Sequence, residues 1–197
     1  TVLGDTPWTI SMWIKPTAEP GKSAGYESTL LKWENASTTN LKLNYNGDNT
    51  WAVQFWNGSE NTSMAVNVTG NVWSNIVVSY DGSGKISCWR DNNVGASSAL
   101  ITLPTVNAPL MLGGYSSNSV SNQYSGYMAE VYFVEGTALT PATFGQDANG
   151  VWTPKAPADI SVTYGTNGFY LPFNPEAVGV NYSVKVTGGN FDMPTVD

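Results

Sequence analysis

Histidine is missing from all 197 residues, and cysteine occurs once, as Cys88. The first absence removes Ser-His and Cys-His nucleophile pairs, imidazole metal sites and the commonest general base. The second excludes an internal disulfide framework and a cysteine-based zinc site. Cys88 falls at a core-facing position of a strand, where a thiol packs as a small hydrophobe, and a lone cysteine suits a chain folded in a reducing cytosol. Positive charge is also scarce, with 8 Lys plus Arg against 15 Asp plus Glu, a net charge of -7 and a pI near 4.4. Nucleic acid and anionic membranes are therefore poor partners, because both are held by clustered cations. No apolar run is long enough to span a bilayer and no signal peptide opens the chain, so Thr1 reads as the start of a processed or excised chain.

With only 12% charged residues, the surface has to be built largely from Asn, Ser, Thr, Gly and Tyr. Uncharged polar groups interleaved with aromatics serve a sugar-binding face, and they serve an ordinary secreted or virion β-domain equally well. Five Asn-X-Ser/Thr triplets open at Asn35, Asn57, Asn61, Asn67 and Asn181. So rich a supply of Asn, Ser and Thr yields roughly four by chance, and they carry no weight.

The stretch from Trp73 to Arg90 encodes a complete β-hairpin. Ile76, Val78 and Tyr80 alternate with Val77 and Ser79, Asp81-Gly82-Ser83-Gly84 turns the chain, and Ile86 and Cys88 resume the alternation. Similar runs are predicted at 9–15, 28–33, 41–45, 51–56, 63–68, 110–112, 126–134, 168–173 and 182–186. Gly, Asn, Asp and Pro punctuate nearly every gap, the pattern of a sandwich and not of βαβ units. Thr140-Pro141 predicts one capped helical turn. The segment Gly145 to Ala158, with Pro154 and Pro157, reads as a surface loop anchored by Trp152. A length near 200 residues suits one all-β domain, with 145–197 supplying a loop and closing strands.

Three segments resemble a known family. Pro7-Trp8-Thr9-Ile10-Ser11-Met12-Trp13-Ile14-Lys15-Pro16 is similar to the opening strand of concanavalin A-like and laminin-G-like domains, and the Trp73 hairpin to their Trp-led strand ending in Tyr-Asp-Gly. Gly126 to Val134 followed by Ala138-Leu139-Thr140 resembles their closing strand and exit turn. The resemblance implies an all-β jelly-roll sandwich of two antiparallel sheets, over residues 7 to 144. The tail, through Gly150-Val151-Trp152-Thr153-Pro154, Tyr164-Gly165-Thr166-Asn167-Gly168-Phe169-Tyr170-Leu171 and Met193-Pro194-Thr195, looks like the continuation of such domains in bacteriophage tail and virion proteins.

The family also hosts glycoside hydrolases, in which two carboxyl groups about 5 Å apart flank the scissile bond. Glu130 and Glu135 have the family's bulged spacing, but Tyr132 stands where a central Asp belongs, and the expectation is a non-enzyme. Relatives commonly bind calcium through loop oxygens, for which Asp5, Asp48, Asp81, Asp91 and Asn92 are available. Ala129 replaces the family's frequent Asp before Glu130, so no cofactor and no metal is expected.

Alternation separates the two faces of each strand. With Ile10, Met12 and Ile14 inward, Trp13 points away from the core; with Val53 and Phe55 inward, Gln54 and Trp56 do so, and Asn44, Asn75 and Trp89 follow the same rule. Indoles flanked by amides stack on sugar rings, so these residues form the candidate ligand-binding set. The hydroxyl- and amide-rich loop with Tyr115, Asn118, Asn122 and Tyr124 joins them. The expected function is a virion-surface module, on a tail fibre or a capsid, with a lectin-like role toward cell-surface glycan and display in many copies or as a homo-oligomer. A structural cement or adaptor on other virion proteins is the alternative, and a hydrolase the remote one.

Overall fold

The computed structural model describes residues 2–3, 6–17, 28–35, 39–45, 51–56, 61–66, 68–97, 106–107, 110–113, 124 and 126–173. In the strands within 28–66 the description is of backbone pairing, together with the burial of Lys32. Among the described residues fifteen strands follow in chain order: β1 (Val2–Leu3), β2 (Trp8–Pro16), β3 (Ser28–Asn35), β4 (Thr39–Tyr45), β5 (Trp51–Trp56), β6 (Asn61–Val66), β7 (Ser74–Tyr80), β8 (Ile86–Arg90), β9 (Asn93–Ser97), β10 (Val106–Asn107), β11 (Leu110–Leu112), β12 (Gly126–Glu135), β13 (Gly145–Ala148), β14 (Val151–Pro154) and β15 (Phe169–Leu171). Two antiparallel sheets dominate, one of six strands in the order β15-β12-β2-β7-β8-β9 and one of five in the order β11-β3-β4-β5-β6. Among the described residues, no helix is long and apolar enough to cross a membrane.

The period of two explains this outcome strand by strand. Trp8, Ile10, Met12 and Ile14 of β2 are buried in one core with Ile76 and Val78 of β7, Ile86 and Cys88 of β8, and Val131 and Phe133 of β12. Leu110 and Leu112 of β11 pack against that core, which binds the five-stranded sheet to the six-stranded one. Cys88 is fully buried, as its strand position predicts, and burial pushes its thiol up to about 12. The hairpin turn closes as expected: the Asp81 side chain accepts the backbone N–H groups of Ser83 (2.7 Å) and Lys85 (3.0 Å). Those two bonds hold the Asp81 carboxyl below its ordinary value.

Two expectations change in the tail, and a third element falls where expected. The segment from Gly145 to Ala158 is no plain loop, because β13 and β14 form a hairpin inside it. Its turn residues Asn149 and Gly150 both have positive φ (56° and 83°), the geometry that an Asn-Gly pair is selected for. The helical turn at Pro141–Thr143 is a single 3₁₀ turn, and the Thr140 side chain makes no capping bond there. β15 then adds to the edge of β12, so the tail supplies a strand of the main sheet. The predicted strand 182–186 lies outside the described residues.

Candidate ligand-binding site

The face of the six-stranded sheet turned away from the core carries Val77, Tyr132 and Val134, and it is not open. Phe144 and Ile160 bury this row, with Val162, Tyr164 and Tyr170 packed alongside. The strap formed by residues 141–171 therefore makes a second, smaller core on the outside of the sandwich. Trp152 lies flat on Gly145, where an added Cβ would sit 2.5 Å from the indole, so no larger residue fits without moving the ring. Glu135 fastens the far end by accepting the backbone N–H of Asn167 (3.0 Å) and its side-chain amide (3.1 Å).

This strap corrects part of the expected ligand face. Trp13 does point away from the main core, but it is only 6% exposed, and Asn75 is fully buried. The Asn75 amide donates to the Ser11 hydroxyl (3.1 Å) and the Met12 carbonyl (3.2 Å), while the Trp152 indole N–H reaches its carbonyl oxygen at 3.5 Å. Trp152 thus does anchor the tail, at the expense of the openness expected of Asn75. Trp89 is half-buried against the same outer cluster.

The expected set is also split between two sheets. Trp13, Asn75 and Trp89 belong to β2, β7 and β8, whereas Asn44, Gln54 and Trp56 belong to β4 and β5. Position 54 falls in the cross-strand row Met111, Lys32, Lys42, Gln54 and Ser63, which alternates with the rows of core-packed Leu110 and Leu112. The two groups thus belong to different sheets of the sandwich. Lys32, two strands from Gln54 in its row, is fully buried, so this row is not open at that point either. The side chains at 44, 54 and 56, and residues Tyr115, Asn118 and Asn122, lie outside the described ones. Tyr124 is half-buried; its hydroxyl, pushed up by burial, donates to the Tyr127 carbonyl (3.1 Å).

Large side chains are exposed at one end of the six-stranded sheet, as are Val151 in β14 (62%) and Phe173 beyond β15 (52%). Tyr127 is 62% exposed, Val72 50% and Trp73 42%. Tyr127 of β12 pairs with Lys15 of β2, and Trp73 stands one residue beyond Ser74, the partner of Ile14. The Asn71 amide holds this end closed by donating to the Pro16 carbonyl (2.7 Å). A row Tyr127, Lys15, Trp73 therefore crosses three adjacent strand ends, with exposed Asn71 and Asn92 beside it. The Lys15 ammonium lies 6.0 Å from the centre of the Tyr127 ring. Alternation carried the signal for this row: 73 shares its parity with 75, and 127 is register partner to 15.

The carboxylates near this end are engaged by other groups. Glu130 occupies a bulge in β12 with φ of 50°, a left-handed conformation unusual for a non-glycine residue. Its Oε2 accepts the hydroxyls of Tyr170 (2.7 Å) and Tyr132 (3.1 Å), whose rings stack with centres 4.4 Å apart. Burial first, then the adjacent Glu130, push both hydroxyls well above the ordinary tyrosine value. Asp91 Oδ1 accepts the Asn75 N–H (2.9 Å), and its Oδ2 lies 3.7 Å from Arg90 Nε. Among the described residues no group of three or more Cys, Asp or Glu side chains converges as a metal site would require.

The model of the concanavalin A-like lectin/glucanases superfamily matches residues 1–143. The chain belongs to this superfamily. No curated protein matches it. Among solved structures it is similar to domain 4 of AbnA, an extracellular arabinanase from Geobacillus stearothermophilus in complex with arabinotriose, at 17% identity and a TM-score of 0.53 over 71% of this chain and 65% of that one. It is also similar to domains LG4-5 of the mouse laminin α1 chain, at 15% identity and 0.52 over 67% of this chain and 37% of that one. The CBM40 of Ruminococcus gnavus IT-sialidase, bound to α2,3-sialyllactose, gives 17% identity and 0.52 over 71% and 80%. The chain thus spans about two thirds or less of the first two of these. At such identities the likeness is one of fold, which is the expected concanavalin A-like jelly roll. The family model ends at residue 143, so all but the first residues of the strap lie beyond the part it matches.

Proposed function

We propose that this domain is a non-catalytic carbohydrate-recognition module, and that its ligand stacks on the row Tyr127, Lys15, Trp73. One observation carries the reading: two exposed aromatic rings flank Lys15 across three neighbouring strand ends, bordered by exposed amides, on a sheet whose outer side is otherwise partly sealed by the chain's own tail. Ring faces bind the apolar side of a pyranose, and amides bind its hydroxyls. The superfamily's lectins, and the saccharide-bound arabinanase domain and CBM40, add weight to sugar as the ligand class. A non-catalytic role is supported by the lack of histidine and by the partners that already hold Glu130 and Glu135.

On this reading the module is a bacteriophage surface part, on a tail fibre or capsid, that adheres to host glycan through many weak copies. The likeness of its tail to phage virion proteins supports that setting, and labelling of intact particles by an antibody to the domain tests it. Exposed Val72 beside Trp73 favours a second reading, in which the patch docks on another virion protein as cement.

The test is a glycan array probed with a multivalent display of the domain, alongside Trp73→Ala and Tyr127→Ala. Each substitution is expected to weaken binding several-fold, in keeping with about 0.5–1.5 kcal/mol per aromatic contact, while the fold persists. Binding that survives both would move the site elsewhere, and no binding to any glycan would leave the cement reading.

A further inference from the structure

We propose that the ligand of this row is an anionic saccharide, one bearing a carboxylate or sulfate, with Lys15 as the residue that recognises the charge. This rests on the carbohydrate reading above. Lys15 stands between Tyr127 and Trp73 in the row, so a sugar stacked on either ring brings its substituents to the ammonium. The nearest described carboxylates are turned to other donors, Glu130 to Tyr132 and Tyr170, and Asp91 to Asn75 and Arg90. Among the described residues Lys15 forms no ion pair, and its ammonium lies 6.0 Å from the centre of the Tyr127 ring. A chain of net charge -7 would draw cations over most of its surface. Against that background a cation held between two exposed rings gives a local preference that the rest of the molecule opposes.

The experiment measures binding to uronate-containing oligosaccharides before and after carboxyl reduction, and to sulfated oligosaccharides before and after desulfation. The acidic member of a pair is expected to bind about threefold to tenfold tighter at low salt, and the advantage should shrink as salt is raised. Lys15→Gln should equalise the pair without abolishing the neutral component, while Lys15→Arg retains the preference and controls for folding. Which pair responds distinguishes carboxylate from sulfate. Equal binding of acidic and neutral members by the unaltered domain overturns this inference and leaves the carbohydrate reading standing. Failure of every member to bind overturns both.

Discussion

Phe144 offers the sharpest test of the claim that the strap forms a core in its own right. The side chain is 1% exposed, packs against the Tyr132 ring at 5.2 Å between centres, and shares its cluster with Val77, Val134 and Ile160. Phe144→Ala removes a fully buried ring between two layers that are each held elsewhere, β12 by its sheet and the strap by the Glu135–Asn167 bonds. Collapse into the space is therefore limited, and the cost should be about 3–5 kcal/mol. That is a large share of the ~5–15 kcal/mol typical of a domain. With an m-value of about 2 kcal/mol/M in urea, the midpoint should fall by ~1.5–2.5 M. A urea titration followed by tryptophan fluorescence reads this directly, since Trp89 packs on the strap's cluster and Trp152 belongs to the strap. Were the strap to peel away before the sandwich unfolds, an early transition would appear, and limited proteolysis would cut within 141–171 first. A midpoint shift below about 0.5 M, with no early transition, would refute the idea that the strap buries this face in solution.

Further outcomes follow from other residues. Glu130→Ala leaves the Tyr132 and Tyr170 hydroxyls without their acceptor and should cost about 1–3 kcal/mol; Glu130→Gly, relieved of left-handed strain, should melt higher than the alanine variant by roughly 1 kcal/mol equivalent. Gly145→Ala drives a methyl into the Trp152 ring and should lower the melting temperature and shift the indole emission. Cys88 should resist a thiol reagent in the native protein at neutral pH and react fully in denaturant, because burial holds its thiol near 12. The same raised groups fix the alkaline limb. Cys88, Tyr132 and Tyr170 favour the neutral form when folded, so their contribution is complete below the ordinary values of 9.0 and 10.0 and is lost as pH rises beyond them. Urea midpoints should therefore hold steady to about pH 9 and fall above it; an unchanged midpoint well above that pH would contradict the burial of these groups.

How much of this was legible in the chain depends on the range of the force involved. Strand membership, the Asp81 turn, the inward set Ile10, Met12 and Ile14, and the buried Cys88 follow from period-two alternation and turn chemistry, which act over a few residues. The Asn149-Gly150 hairpin was equally local, but two prolines nearby made its setting read as loop. Parity also fixed which side of a strand Trp13, Asn75 and Trp73 occupy.

Parity could not tell what lies against that side. Asn75 and Trp73 share it, yet one is buried with Trp152 bonded to its amide and the other stands in solvent, because Phe144, Trp152 and Ile160 return from far along the chain to cover part of that side. Likewise, nothing local assigns Trp56 to a different sheet from Trp89; the order in which strands pair does. The sequence determined the strands and their two faces, since those depend on neighbouring residues alone. Tertiary structure decided which face remains open to a ligand, because burial is settled by contacts between segments distant in the chain.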